Sequence, residues 1–188
     1  MRVTYSLGLI ASVLFLASCG QKSEPTYQVK FTSDFSALSA VTGEEQTAPK
    51  PPKTEDIKIE KETLDKVTAA ITPNLQAYHD AVVAIQEEQL LGKGDEESKK
   101  KLEALTKTLY TEALNVVKGL VPVLSAAGIK DGEKIGVALG AEGLAVYAPM
   151  PEKETDLPKV VIAIKLKLDK GGKVAGFELK AVKVEKAN

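Results

Sequence analysis

The spacing of the apolar residues changes near Gly128 of this 188-residue chain. Between Leu64 and Leu124 apolar side chains recur every three or four residues, which is the period of one face of a helix. A short glycine-containing segment, Gly92-Lys93-Gly94, divides this part into two stripes and predicts two antiparallel neighbouring helices. The first stripe consists of Leu64, Val67, Ile71, Leu75, Tyr78, Val82 and Ile85, and the second of Leu102, Leu105, Leu109, Ala113, Val116, Leu120 and Leu124.

The ends and interruptions of these helices have local signals. Pro73 lies inside the first stripe, which predicts either a bent helix or two abutting ones. Asp95 precedes the second stripe as an N-cap, followed by two glutamates that suit the positive end of a helix. Pro122 predicts a short separate last turn, and Gly128 predicts the stop.

After Gly128 the apolar period becomes two, the period of a half-buried strand. Two hairpins are predicted, one with arms Lys134 to Leu139 and Leu144 to Ala148, the other with arms Val160 to Leu168 and Lys173 to Val184. Helices followed by antiparallel strands predict an α+β fold, in which the helical hairpin packs on a meander of about four strands.

The last hairpin predicts a sheet with one buried and one solvated face. In its first arm Ile162, Ile164, Leu166 and Leu168 share a face opposite Lys165 and Lys167. In its second arm, however, Val182 and Val184 have the opposite parity to Phe177 and Leu179. Either a bulge near Ala181 resets the face, or the end of this strand covers something on the outer side.

The N-terminus has the order of a secretory signal: a basic residue, Arg2, then the apolar run from Leu7 to Ala17, then small residues. The segment Leu16-Ala17-Ser18-Cys19 resembles the lipobox of bacterial lipoproteins. This resemblance implies removal of residues 1–18 and acylation of Cys19, which would hold the mature chain at a membrane. Gly20 stands where many inner-membrane lipoproteins carry Asp, so an outer-membrane location is favoured if the host has two membranes. A retained membrane-spanning segment is the alternative.

Residues 19–53 are polar and end in the proline-rich run Pro49 to Lys53, which predicts an extended linker before a single domain at 54–188. Within this linker, Tyr27-Gln28-Val29-Lys30-Phe31 alternates like a strand, so part of it could dock on the domain.

The chain has no residue pattern that specifies a reaction. His79 is the sole histidine and is expected at a helix surface or boundary with no role. Gly92-Lys93-Gly94-Asp95 lacks the spacing of a phosphate loop, and acylation of the single cysteine would leave no thiolate for a disulfide or a metal. We expect no catalytic, metal or cofactor site, and the net charge of −1 gives no drive toward nucleic acid.

The favoured function is a binding or scaffolding module of the cell envelope, attached to the membrane through lipid on Cys19, whose further partner would be an envelope protein. The alternative is a carrier of a lipid or another apolar ligand, because two helices over an aliphatic sheet could enclose a cavity. The strand lysines Lys165, Lys167, Lys180 and Lys183 could contact anionic headgroups or an acidic patch. An enzyme with dispersed catalytic residues stays open, since a sequence does not show which residues converge in space.

Overall fold

The structure is a computed structural model that describes residues 14–15, 27–32, 53–151 and 157–185. It contains three helices, α1 (Lys61–Leu91), α2 (Glu96–Gly119) and α3 (Val121–Ala126). The strands are β1 (Leu14–Phe15), β2 (Gln28–Thr32), β3 (Lys53–Asp56), β4 (Lys134–Gly140), β5 (Gly143–Ala148), β6 (Val160–Leu168) and β7 (Val174–Glu185). The predicted α+β class, with a helical hairpin followed by strands, is confirmed.

The helices follow their sequence signals closely. α1 is one continuous helix through Pro73, so the alternative of two abutting helices is wrong. The Asp95 carboxylate accepts a hydrogen bond from the backbone N–H of Ser98 at 2.9 Å, which confirms the predicted N-cap of α2. Pro122 lies in the first turn of the short α3, as expected for a residue that lacks a backbone donor.

The strands form one mixed sheet in the order β1-β2-β4-β5-β6-β7-β3. The four predicted strands, β4 to β7, form its antiparallel centre. β2 pairs in parallel with β4 at one side, and β3 pairs antiparallel with β7 at the other. β1 lies within the predicted signal peptide, so the mature chain expected from the sequence would keep six strands.

Part of the predicted linker docks on the domain, the possibility that the alternation from Tyr27 to Phe31 left open. Tyr27, Val29 and Phe31 are buried at 2%, 2% and 8% exposure, because their alternation places them all on the helix side of the sheet. The ring of Phe31 stacks on that of Tyr110 in α2, with 4.6 Å between centroids. This part of the 19–53 segment belongs to the domain.

The main core lies between the helices and the sheet. Both predicted helix stripes contribute side chains with 0% exposure, among them Ile71, Leu75, Val116 and Leu120. They meet the inward residues of the strands, such as Ile162, in one continuous cluster. The facing stripes of the sequence thus bury each other and one face of the sheet.

The outer face of the sheet is also buried at one end, which corrects the expectation of a wholly solvated face. Val182 is 1% exposed and packs with Val161 and Tyr147 in a second cluster. The β6–β7 register is regular past Ala181, and its shift falls at Lys167/Leu168 instead. Of the two explanations for the parity change, the bulge near Ala181 is wrong and the covered outer side is right.

Candidate functional site: the tip of the helical arm

α1 is fastened to one end of the sheet, which we call the turn end because it holds the β4–β5 and β6–β7 turns. The Tyr78 hydroxyl donates to the carbonyl oxygen of Gly140 at 2.8 Å, lies 3.0 Å from that of Gly143, and accepts from the N–H of Gly140 at 3.1 Å. Burial raises the pKa of Tyr78 to about 12. The Tyr78 side chain therefore fixes the position of α1 along the sheet, next to the β4–β5 turn.

Two further side chains of α1 contact the β6–β7 turn. Gln76 accepts a hydrogen bond from the backbone N–H of Val174 at 2.9 Å. The His79 Nε2 lies 3.1 Å from the carbonyl oxygen of Gly172, while its Nδ1 is buried without a hydrogen-bond partner. At 7% exposure His79 is buried, where the sequence predicted a surface or boundary position. Its contact is to a turn backbone.

Beyond the turn end the helical hairpin continues as an arm, which we define as residues 83–108. Within the arm only Ser98 is buried, whereas α1 before it contributes six buried residues. The nine helical residues 83–91 extend about 13 Å at 1.5 Å per residue. The two helices of the arm are thus supported mainly by each other.

The tip of the arm exposes two adjacent leucines. Leu90 and Leu91 are each 83% exposed, the highest values among the exposed large apolar side chains of the described residues. They are exposed because they are out of phase with the α1 stripe, which after Ile85 would continue at positions 88 and 89. α1 ends directly after them, where the N–H of Gly92 bonds to the carbonyl oxygen of Glu88 at 2.8 Å. The position of Leu90 and Leu91 outside the apolar stripe is visible in the sequence. Neither leucine belongs to a functional motif, so neither was predicted as a functional residue.

A polar cleft of about 400 Å³ lies beside Leu91 between the two helix ends. Its charged lining has four carboxylates, from Glu87, Glu88, Asp95 and Glu97, against two ammonium groups, from Lys93 and Lys101. The Lys101 Nζ lies 2.5 Å from the carboxylate of Glu88, whose side chain is only 10% exposed. The hydrogen bond from Lys101, and then that from Ser98, lower the pKa of Glu88. Charge near this cleft is therefore net negative.

The residues singled out in the sequence are dispersed. Cys19 lies outside the described residues. Gly92-Lys93-Gly94 forms the interhelix turn, as predicted, and Gly94 has a φ of 70°. Of the four strand lysines, Lys167 pairs with Glu178 at 2.8 Å, while Lys165 and Lys180 lie 3.9 Å from Glu142 and Asp56. Carboxylates thus lie beside three of the four lysines, which weakens the possibility that these lysines form a cationic surface for anionic groups.

A membrane-spanning helix or a metal site in the described ranges would define a function. In the part of the chain that the structure describes, no helix is both long and apolar enough to cross a bilayer. Across residues 14–15, 27–32, 53–151 and 157–185, no three His, Cys, Asp or Glu side chains are grouped so as to hold a metal ion.

Comparisons with protein-family models, with curated proteins and with solved structures return no match to this chain.

Proposed function

We propose that this protein is an envelope lipoprotein, anchored through Cys19, that acts as a binding or scaffolding module and presents the tip of its helical arm to a partner. The observation that carries the proposal is where the N-terminal segment and the helical arm each meet the sheet. Gln28, at the start of β2, pairs with Lys134 at the start of β4, whereas Tyr78 contacts Gly140 at the end of β4. The N-terminal anchor and the arm therefore leave the sheet at opposite ends.

The distances favour an arm directed away from the anchor. From Cys19 to Tyr27 the chain reaches at most about 28 Å when fully extended. From the level of Lys134 to that of Gly140 is about 20 Å of strand, and from Tyr78 to Leu91 is about 20 Å of helix. An anchor at Cys19 thus holds one end of the domain near the lipid and leaves Leu90 and Leu91 further out by at most about 40 Å, the sum of these two lengths.

A carrier of an apolar ligand is less well supported. The space between helices and sheet is occupied by side chains from both layers, including Tyr78, Leu75 and Ile162 with no exposure. The cleft at the tip has mainly charged walls, whereas a site for an apolar ligand is lined by hydrophobic side chains.

The anchor is tested by replacing Cys19 with Ala in the full precursor and following incorporation of labelled fatty acid and partition into membranes. We expect both to be lost, because the thiol is the acceptor of the lipid in the lipobox interpretation. Ser12→Ala, in the same apolar run, is the matched control and should retain both. Labelling and membrane retention that survive in Cys19→Ala would refute the anchor.

The presenting role is tested separately with a photoreactive residue at position 91 in intact cells. We expect a discrete protein adduct from position 91 and none from position 170, which is also exposed and lies on the β6–β7 turn. The adduct should disappear when Leu90→Ser is added. Absence of an adduct at position 91, or adducts of equal yield at both positions, would refute the presenting role.

A further inference from the structure

The apolar part of the tip is small and prominent. Leu90 and Leu91 are exposed at 83% each, next to a cleft that Leu91 itself lines. A single exposed leucine is ordinary on a protein surface, but here two lie side by side at the end of a projecting element, where they point about 100° apart around α1 and expose apolar area on two sides of the tip. Such a pair fits an apolar side chain of a partner better than a flat polar surface.

The charged groups around the two leucines determine which sign of charge on a partner is attracted to the tip. The Glu88 carboxylate is paired with Lys101, and that of Asp95 caps α2. Glu87 and Glu97 line the same cleft without a salt bridge of their own, and the one further ammonium group in the lining, that of Lys93, balances only one of these two carboxylates. The C-terminal end of α1 contributes the negative end of its helix dipole, and the N-terminal end of α2, which begins at the same tip, contributes the positive end of its own, so the excess of carboxylates over ammonium groups in the lining sets the sign. A cationic group is therefore attracted to this cleft, and an anionic one is repelled.

The tip is poorly suited to a bilayer. The last carbonyl groups of α1, at residues 89–91, have no helical partner, and hydrocarbon offers no hydrogen-bond donor to satisfy them. Anionic headgroups would meet the excess carboxylates, and the proposed anchor lies at the other end of the sheet. A protein segment can supply both the donors and the positive charge.

We infer that the tip binds a basic amphipathic segment of a partner protein, with an apolar side chain against Leu90 and Leu91 and a Lys or Arg side chain in the cleft beside Glu87 and Glu97. This inference rests on the proposed function, because it names the class of partner that binds the arm presented by the anchored domain.

The test uses the chain from residue 19 onward with Cys19→Ala, which lacks the proposed lipid acceptor, and short helical probe peptides of leucine and lysine. A peptide of leucine and glutamate with the same apolar pattern, and a scrambled lysine peptide, are the controls. We expect the amphipathic lysine peptide to bind, and its dissociation constant, measured by fluorescence anisotropy, to rise as salt is added because the attraction is between exposed charges. Equal or tighter binding of the glutamate peptide would overturn the inference.

Variants then locate the binding. Leu90→Ser with Leu91→Ser should weaken binding at least about tenfold, since one buried leucine side chain already corresponds to roughly that factor. Glu87→Gln with Glu97→Gln should weaken it severalfold and reduce its salt dependence. Leu168→Ser and Glu103→Gln, an exposed leucine and an exposed glutamate elsewhere, should leave it unchanged. Binding that is insensitive to the tip variants would overturn the inference.

Phosphatidylethanolamine vesicles, with and without phosphatidylglycerol, test whether the tip binds a membrane and not a protein segment. Co-sedimentation that depends on Leu90 and Leu91, in the absence of peptide binding, would assign the tip to lipid and overturn the inference. Failure of the anchor appears in the Cys19→Ala labelling experiment alone and leaves the peptide measurements unaffected, so the two proposals fail separately.

Discussion

Tyr78 joins the two layers of the domain through a single hydroxyl group. Replacing it with Phe keeps the ring but leaves the N–H of Gly140 without its acceptor and the Gly140 carbonyl without its donor. We expect Tyr78→Phe to lower the free energy of unfolding by about 1–3 kcal/mol, measured by chemical denaturation. Tyr110→Phe is the matched control, because the Tyr110 ring stacks on Phe31 and its hydroxyl is not part of a hydrogen-bond network between layers.

The same residue gives a pH dependence with a definite sign. Its folded pKa is about 12, above the ordinary value of 10, so the unfolded chain loses the proton first as the pH rises. The stability contributed by neutral Tyr78 is complete below pH 10 and declines between pH 10 and about 12. The difference in stability between the wild type and Tyr78→Phe should shrink over that window. A constant difference would contradict the assignment.

Single residues were predictable where their partners are near in sequence. Asp95 could be predicted as a cap because the N–H that it accepts from is three residues away. The burial of His79 could not be predicted, because the residue that it contacts, Gly172 in the β6–β7 turn, is 93 residues later in the chain. Helical periodicity gives the face on which a residue lies, but it does not give the loop that will cover that face. Leu90 and Leu91 could have been predicted as exposed from their phase alone.

At the scale of elements, long periodic segments were predictable and short edge strands were not. α1, α2 and the β4–β7 meander each repeat their pattern over several turns or alternations, so the period identifies them. β2 has five residues, and its partner is the parallel strand β4, more than 100 residues away. Its alternation was visible, but the polar, proline-rich composition around it favoured a linker. A parallel pairing has no local turn signal to reveal it.

The role of β2 can be measured by truncation. A chain that begins at Thr54 lacks Tyr27, Val29 and Phe31, all buried on the helix side. We expect it to be less stable than a chain that begins at Gly20 by several kcal/mol, at roughly 1.5–3 kcal/mol for each large apolar side chain. Phe31→Ala in the longer chain should cause part of the loss, and Lys30→Ala almost none. Equal unfolding midpoints for the two chains would show that β2 does not contribute to the domain.

At the scale of the whole molecule, the domain combines a dense core with a thin extension. From Val67 to Ala81, α1 packs on the sheet, while from Val83 onward it packs chiefly on α2. Local opening requires less free energy where fewer apolar contacts are lost. We therefore expect backbone amides in residues 83–108 to exchange hydrogen much faster than those in residues 67–81 of the same helix, as measured by mass spectrometry. Uniform protection along α1 would contradict a separate arm.

The opening of the arm should also depend on pH through the ion pair between its helices. Lys101 holds the pKa of Glu88 below the ordinary value of 4.5, so the pair stabilises the arm above that pH and is lost as the pH falls through the lower folded value. Protection of the arm, corrected for the intrinsic exchange rate, should decrease over that acidic range and that of residues 67–81 should not. Glu88→Gln should remove the part of this pH dependence that comes from the ion pair and leave the part that comes from Asp95, whose pKa is lowered by its N-cap hydrogen bond from Ser98. Glu62→Gln should preserve the whole pH dependence, because Glu62 pairs with Lys66 within α1 and not across the hairpin. A pH dependence that is undiminished in Glu88→Gln would mean that the ion pair does not hold the arm closed.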